Sequence, residues 1–287
     1  MNKHLVTAVI AGCVAFAVAW MVRPDGVGDN THEQSTFERV MKSKTIRCGY
    51  FVWPPHLVKD PNTGEMSGIY ADLLESLAQQ MSLKIEWAEE MGWGDMPAAL
   101  NANRIDMYCM GAVASPARAR EIDFVKAPVF TPFYPTVRWD DVRFDHETES
   151  KLNQAKVTFV MGDGGVEKDI IRNRFPDAKI LSLPQTASFG EFFLSVADRK
   201  ADVVLMDENS VAEYNKGNPS KKLKLLKQLR AGLFDGSLPV KRDDGRFRDM
   251  MNEAIGYSVN TGELEAIVRK YDQAGAFYML APIYEEK

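Results

Sequence analysis

Arg118 is the residue whose type and setting point most directly to chemistry. It lies in GAVASPARAREIDF, residues 111–124, where a loop leaves the carboxyl end of the apolar run RIDMYCMG. Ligands of open α/β sheets sit beyond the carboxyl ends of strands. A guanidinium at such a place offers a planar fork of donors to a carboxylate, which Lys would meet only as a point charge. Taken alone, the same side chain could pair on the surface with Glu121 or Asp123. A second charge, Asp207, follows the apolar run ADVVLM directly and, before NSVAEY, is suited to capping a helix. A third segment, GDGGVEKD from Gly162, joins an apolar run to a helical pattern beginning near Val166. It is not a nucleotide loop, because the chain has neither a Rossmann fingerprint nor a Walker Gly-Lys-Ser/Thr.

The elements that must position these groups read as two βαβαβ units. The first comprises TIRCGYF (strand), IYADLLESLAQQM (helix), KIEWAEE (strand), GDMPAALNAN (short helix) and RIDMYCMG (strand). Its longer helix rests on the stripe Ile69, Leu73, Leu77 and Met81. The second unit is KVTFVMG, VEKDIIRNRF, AKILSLP, ASFGEFFLSVADRK and ADVVLMD. Such alternation predicts two mostly parallel sheets flanked by helices, hence an α/β fold of two lobes. The lobes join through TPFYPTVRW, residues 131–139, where Pro132 and Pro135 disfavour helix and suit an extended crossover. After Leu229 the chain crosses back through GSLPVKRDD, and MMNEAIGYSVNTGELEAIVRKY forms two helical pieces. A two-lobed chain with two hinge crossings can close around a ligand.

Over about residues 37–271 this arrangement resembles the type II periplasmic substrate-binding proteins of amino-acid ABC transporters, the bacterial extracellular solute-binding proteins of family 3. The family's motif is a Gly-containing strand end, then Thr-Pro-Glu-Arg-Ala, then Val-Asp-Phe; here Gly111 is followed by SPARAREIDF. The resemblance implies the type II periplasmic-binding-protein fold and makes Arg118 the carboxylate-binding Arg. It also implies that Asp207, in a match to Asp-Ala-Val-Val-x-Asp, takes the ligand's ammonium. Val113 stands where the family has a Ser or Thr hydroxyl, so that donor is missing. Asp163 and Gly164 replace two threonines of a loop whose amides meet the carboxylate at a helix start. Asp163 adds negative charge near the mouth, which would suit a basic or polyamine-like ligand group or simply cap the helix. Trp53, in YFVWPPHLV, stands where the family packs a ring on the ligand side chain, and Trp93 in GWGDMPAAL resembles the family's Trp-Asp-Gly-Leu segment. One missing residue leaves Tyr50 or Phe51 where an Asp often sits.

Length and composition agree. A chain of 287 residues suits two lobes of ordinary size, and 45% hydrophobic with 26% charged residues is globular. A net charge of −5 argues against nucleic-acid binding. The one basic cluster, Lys221, Lys222, Lys224, Lys227 and Arg230, alternates with leucines and reads as the solvated side of a surface element. The four His residues are scattered and no Cys or His pair has ligand spacing, so neither a metal nor a cofactor is expected.

The amino-terminal residues read as targeting. Lys3 and His4 precede the apolar run LVTAVIAGCVAFAVAWMV, residues 5–22. A cleaved signal peptide fits Ala17, Val18 and Ala19 before Trp20. An uncleaved anchor fits the length, about 27 Å of helix at 1.5 Å per residue. A lipoprotein rests on IAGC ending at Cys13, against which the following residues stay apolar. All three export the remainder, and residues 24–35, PDGVGDNTHEQS, form a polar tether. Cys48 and Cys109 lie in separate apolar runs; export permits a bridge, but buried free thiols are favoured because neighbouring strands rarely offer disulfide geometry.

The expected organisation is therefore a signal peptide or anchor over residues 1–23, a tether over 24–36, a first lobe from 37–134 and 236–287, and a second from 135–235. The leading function is an exported, monomeric binder that captures an amino acid or related zwitterion and hands it to an inner-membrane ABC permease, without catalysis. An enzyme of the cyclohexadienyl dehydratase type on the same fold is the alternative, with Glu167 or Asp163 as its acid though no motif places either. A ligand-sensing or scaffold module is a third.

Overall fold

Helix α1 (Thr36–Ser43) opens the part of the chain described by the computed structural model, residues 34–146, 148–272, 275, 278 and 279. The targeting segment, Cys13 and most of the tether lie outside the described residues. A capping box sets the start of α1: Glu38 N donates to Ser35 Oγ and Ser35 N to the Glu38 carboxylate. The buried Asp106 ties this helix down by accepting from Arg39 Nε at 2.7 Å and from Arg47 N at 2.6 Å.

The first lobe continues with β1 (Thr45–Tyr50), the small hairpin β2 (Val58–Lys59) and β3 (Met66–Ser67), α2 (Ile69–Gln80), β4 (Lys84–Glu90), α3 (Met96–Asn101), β5 (Met107–Tyr108) and β6 (Ile122–Val125). Helix α2 buries Ile69, Leu73 and Leu77, the expected stripe, and ends at Met81. The crossover strand β7 (Val129–Arg138) leads to α4 (Glu149–Leu152), β8 (Thr158–Gly162), α5 (Glu167–Arg174), β9 (Lys179–Leu183), α6 (Phe189–Ala197), β10 (Val203–Met206), α7 (Glu208–Gly217) and β11 (Leu223–Leu225). The return runs through β12 (Gly232–Asp235) and β13 (Leu238–Lys241) to α8 (Gly245–Asn260), α9 (Glu263–Tyr271) and β14 (Tyr278–Met279). Among the described residues no helix is long and apolar enough to cross a membrane.

The first sheet has the order β4-β1-β5-β13-β6. Strands β4, β1 and β5 are parallel, whereas β13 is antiparallel to both neighbours because it enters from the other lobe rather than through a helical crossover. In the second sheet β9, β8 and β10 are parallel and the reversed strand is β7. Strand β7 serves both halves of the molecule. Its first residues pair with β14 and β12, and Tyr134, Pro135 and Thr136 pair with β10. The two crossings are thus one antiparallel ribbon, with Phe133 opposite Gly232 and Phe130 opposite Asp235.

Cys48 and Cys109 form a disulfide with Cα atoms 5.3 Å apart, which corrects the expectation of free thiols. Strand β5 pairs with β1 only at Cys48↔Met107 and Gly49↔Tyr108. Residues 107 and 109 point to the same face, so Cys109 is the diagonal neighbour of Cys48, and the ladder ends just where the sulfurs must approach. The bond closes a 61-residue separation. Reduction should therefore cost about 2–4 kcal/mol of stability. Urea unfolding with and without reductant measures this, and coincident midpoints would refute it.

Candidate functional site

Arg118 begins a short 3-10 turn, Arg118–Arg120, and its amide donates to Ser115 Oγ at 3.3 Å. The loop thereby turns the side chain back across the sheet edge. Its Nη1 donates to Val113 O at 3.1 Å, and Nη2 reaches Gly164 O of the second lobe at 3.2 Å. Burial lowers its pKa from the ordinary value, while Glu167, Tyr108 and Asp235 act in the opposite sense. Among the described residues, no carboxylate oxygen lies within the 4.0 Å of an ion pair with this guanidinium.

Around Arg118 the two lobes bring together Trp53, Trp93, Phe133, Phe189 and Phe234, with Gly165, Val166 and Glu167 completing the lining of a cavity of about 20 Å³. That is room for roughly one water. The rings fill the rest: Trp53 stacks on Phe189 across the lobes at 4.7 Å and meets Phe234 edge-on at 5.1 Å. Admitting a solute requires the lobes to part and these rings to separate.

The rim is held by polar contacts and by glycines. Trp53 Nε1 donates to Ser210 Oγ at 2.8 Å, and Ser210 Oγ lies 3.1 Å from Pro54 O and 2.5 Å from Asp207 Oδ2. Burial pushes the Asp207 carboxyl up to about 6, against the bonds that Ser210 donates to it. On the other side, a methyl placed on Gly94 would lie 2.2 Å from Gln185 Oε1, so the Gln185 amide packs directly on the Gly94 backbone and would have to turn away from any larger residue there.

Of the residues singled out in the sequence, Arg118, Trp53 and Trp93 line the cavity. Val113 and Gly164 border it through the carbonyls that hold Arg118, and Gly111 lies beneath, its carbonyl accepting from Trp93 Nε1 at 3.5 Å. Tyr50, Asp163 and Asp207 lie outside the lining. Tyr50 packs edge-on against Trp87 and its hydroxyl accepts from Lys59, because it ends β1 facing β4. Asp163 is exposed, its amide paired with Leu183 O. Asp207 is 0% exposed and caps α7, with Ser210 N donating to Oδ1 at 2.9 Å. Phe133, Phe189 and Phe234 were not anticipated. Phe133 and Phe234 sit in the two crossover strands, and a crossover flanks any cleft between lobes, which is the signal that could have found them. Among the described residues no group of three or more His, Cys, Asp or Glu is disposed to hold a metal ion.

Two α/β lobes joined by a crossover ribbon, with an Arg and aromatic rings facing each other between them, define a solute-binding protein of the type II fold. The chain belongs to the bacterial extracellular solute-binding proteins, family 3, whose sequence profile matches residues 46–274. It is 22% identical over 279 residues to a Haemophilus influenzae protein named "Probable amino-acid ABC transporter-binding protein", covering 90% of this chain and 99% of that one. A Pseudomonas aeruginosa "L-arginine-binding protein" is 23% identical over 238 residues, 79% of this chain and 88% of its own. The fold matches the crystal structure of an ancestral amino acid-binding protein, a precursor of cyclohexadienyl dehydratase, with a TM-score of 0.71 and 21% identity over 83% of this chain and 99% of that one.

Asp207 makes stability depend on pH with a definite sign. Its folded pKa, about 6, lies above the ordinary 3.8, so its contribution is full below pH 3.8 and is lost as pH rises through 6. The loss amounts to about 3 kcal/mol. Asp207→Asn keeps the cap acceptor and remains neutral. Urea unfolding of both proteins from pH 4 to 7 should show the variant gaining on the wild type across this window. A constant difference would exclude Asp207 as the titrating group.

Proposed function

We propose that this protein captures a free amino acid outside the cytoplasm and presents it to an inner-membrane ABC permease, acting as a monomer that binds without turnover. The observation that carries this reading is the Arg118 guanidinium, which faces a ring-lined space between the lobes with no carboxylate of the described residues in ion-pair range. A ligand carboxylate completes its donor fork, and the rings from both lobes enclose the side chain. Trp53 and Phe189, stacked across the cleft, suit a planar or cationic side chain entering between them. The matched relatives are described as binding proteins, one of them for L-arginine. Export is supported by the family's extracellular character and by the amino-terminal apolar run, which would leave the lobes in the periplasm, either free or tethered.

A thermal-shift screen of amino acids, amines and small acids tests the reading, since a ligand at roughly a hundred times its Kd adds about 2.7 kcal/mol. L-Arginine is the first compound expected to score. Arg118→Ala should weaken every carboxylate-bearing hit by about 30-fold or more, as loss of a desolvated charge contact does. If no amino acid shifts the melting temperature, or if the variant binds the hits as tightly as the wild type, the reading is wrong.

A further inference from the structure

Resting on the amino-acid reading, we infer that Glu167, rather than Asp207, receives the ligand's α-ammonium. Both Arg118 and Glu167 line the cavity between the lobes, whereas Asp207 does not. Glu167 is the first residue of α5, and its carboxylate folds back over the preceding loop, so that a methyl on Gly165 would lie 2.2 Å from Glu167 Oε2. Among the described residues no other side chain donates to it. It interacts electrostatically with Arg118, but the two groups are farther apart than the 4.0 Å of an ion pair. Two opposite charges that share one cavity without touching match a zwitterion, whose carboxylate and ammonium are themselves a short distance apart. Asp207, by contrast, has its oxygens committed to Ser210 N and Ser210 Oγ beneath the seam.

The separation of charges also accounts for the state of Glu167. Burial raises its pKa, and Arg118 alone offsets this from a neighbouring charge. Its own backbone N–H also bonds to the carboxylate, and an arriving ammonium would add a second, charged donor at close range.

Titration calorimetry on wild type, Glu167→Gln and Asp207→Asn decides the assignment. The probes are L-arginine with 5-guanidinopentanoate and L-phenylalanine with 3-phenylpropanoate, pairs that differ only in the α-ammonium. Glu167→Gln should weaken the amino acids by about 30-fold or more while the deaminated acids bind as well or better, collapsing the preference for the ammonium. Asp207→Asn should move both members of a pair together, because it acts on the seam. If Glu167→Gln preserves the preference, or if Asp207→Asn alone abolishes it, the assignment to Glu167 is overturned while the amino-acid reading stands. If wild type binds neither pair, the reading fails for these side-chain classes and the assignment with it.

Discussion

The antiparallel pairing of β7 with β12 is the constraint on which the site depends. It makes one ribbon of the two chain crossings, so the lobes can swing about it while their facing edges stay in register. Arg118 lies in the connection between β5 and β6 on one side, and Glu167 opens α5 after β8 on the other. Neither would face the cavity if either crossing were displaced. Phe133 and Phe234, one from each ribbon strand, also form part of the wall, so the hinge contributes to the site it articulates.

The seam explains why the lobes meet so closely. The Gln185 side chain packs against the Gly94 backbone, and Ser210 Oγ accepts from the Trp53 indole N–H. Inside the seam, ring meets ring. Aromatic pairs of this kind contribute about 0.5–1.5 kcal/mol each beyond their burial, so a solute must replace such contacts with its own. A solute without a flat or apolar surface would leave the Trp53 and Phe189 faces poorly covered.

Much of this was legible in the sequence, for reasons that can be named. The Ser-Pro turn after an apolar strand located the Arg118 loop, and the four-residue stripe located α2. The Pro-rich stretch at residues 131–139 showed where the chain crosses. What escaped notice depended on tertiary distance. Alternation within β7 and β12 does not say that Phe133 and Phe234 face a cleft rather than the core. Glu167 stands out in the sequence only as a candidate acid of the dehydratase alternative, and in a first helical turn, where the dipole favours any carboxylate, nothing marks it as facing Arg118. Asp207 follows a strand and precedes a helix, a position compatible with both ligand contact and capping; its complete burial under Ser210 is a property of the closed lobes. The disulfide is not legible in the sequence, because the two-residue length of the β5 ladder depends on pairing partners far away in the chain.

The disulfide between Cys48 and Cys109 has a bearing on recognition as well as on stability. Cys109 lies a few residues ahead of the loop that carries Arg118, at the point where β5 stops pairing with β1. A covalent tie there anchors the stem of that loop to the central strand whether the lobes are together or apart. The conformational freedom of the stem is thus lost once, during oxidative folding, and not again at each encounter with a solute. The first lobe keeps half of the receptor preformed, and closure has only to bring the other half to it.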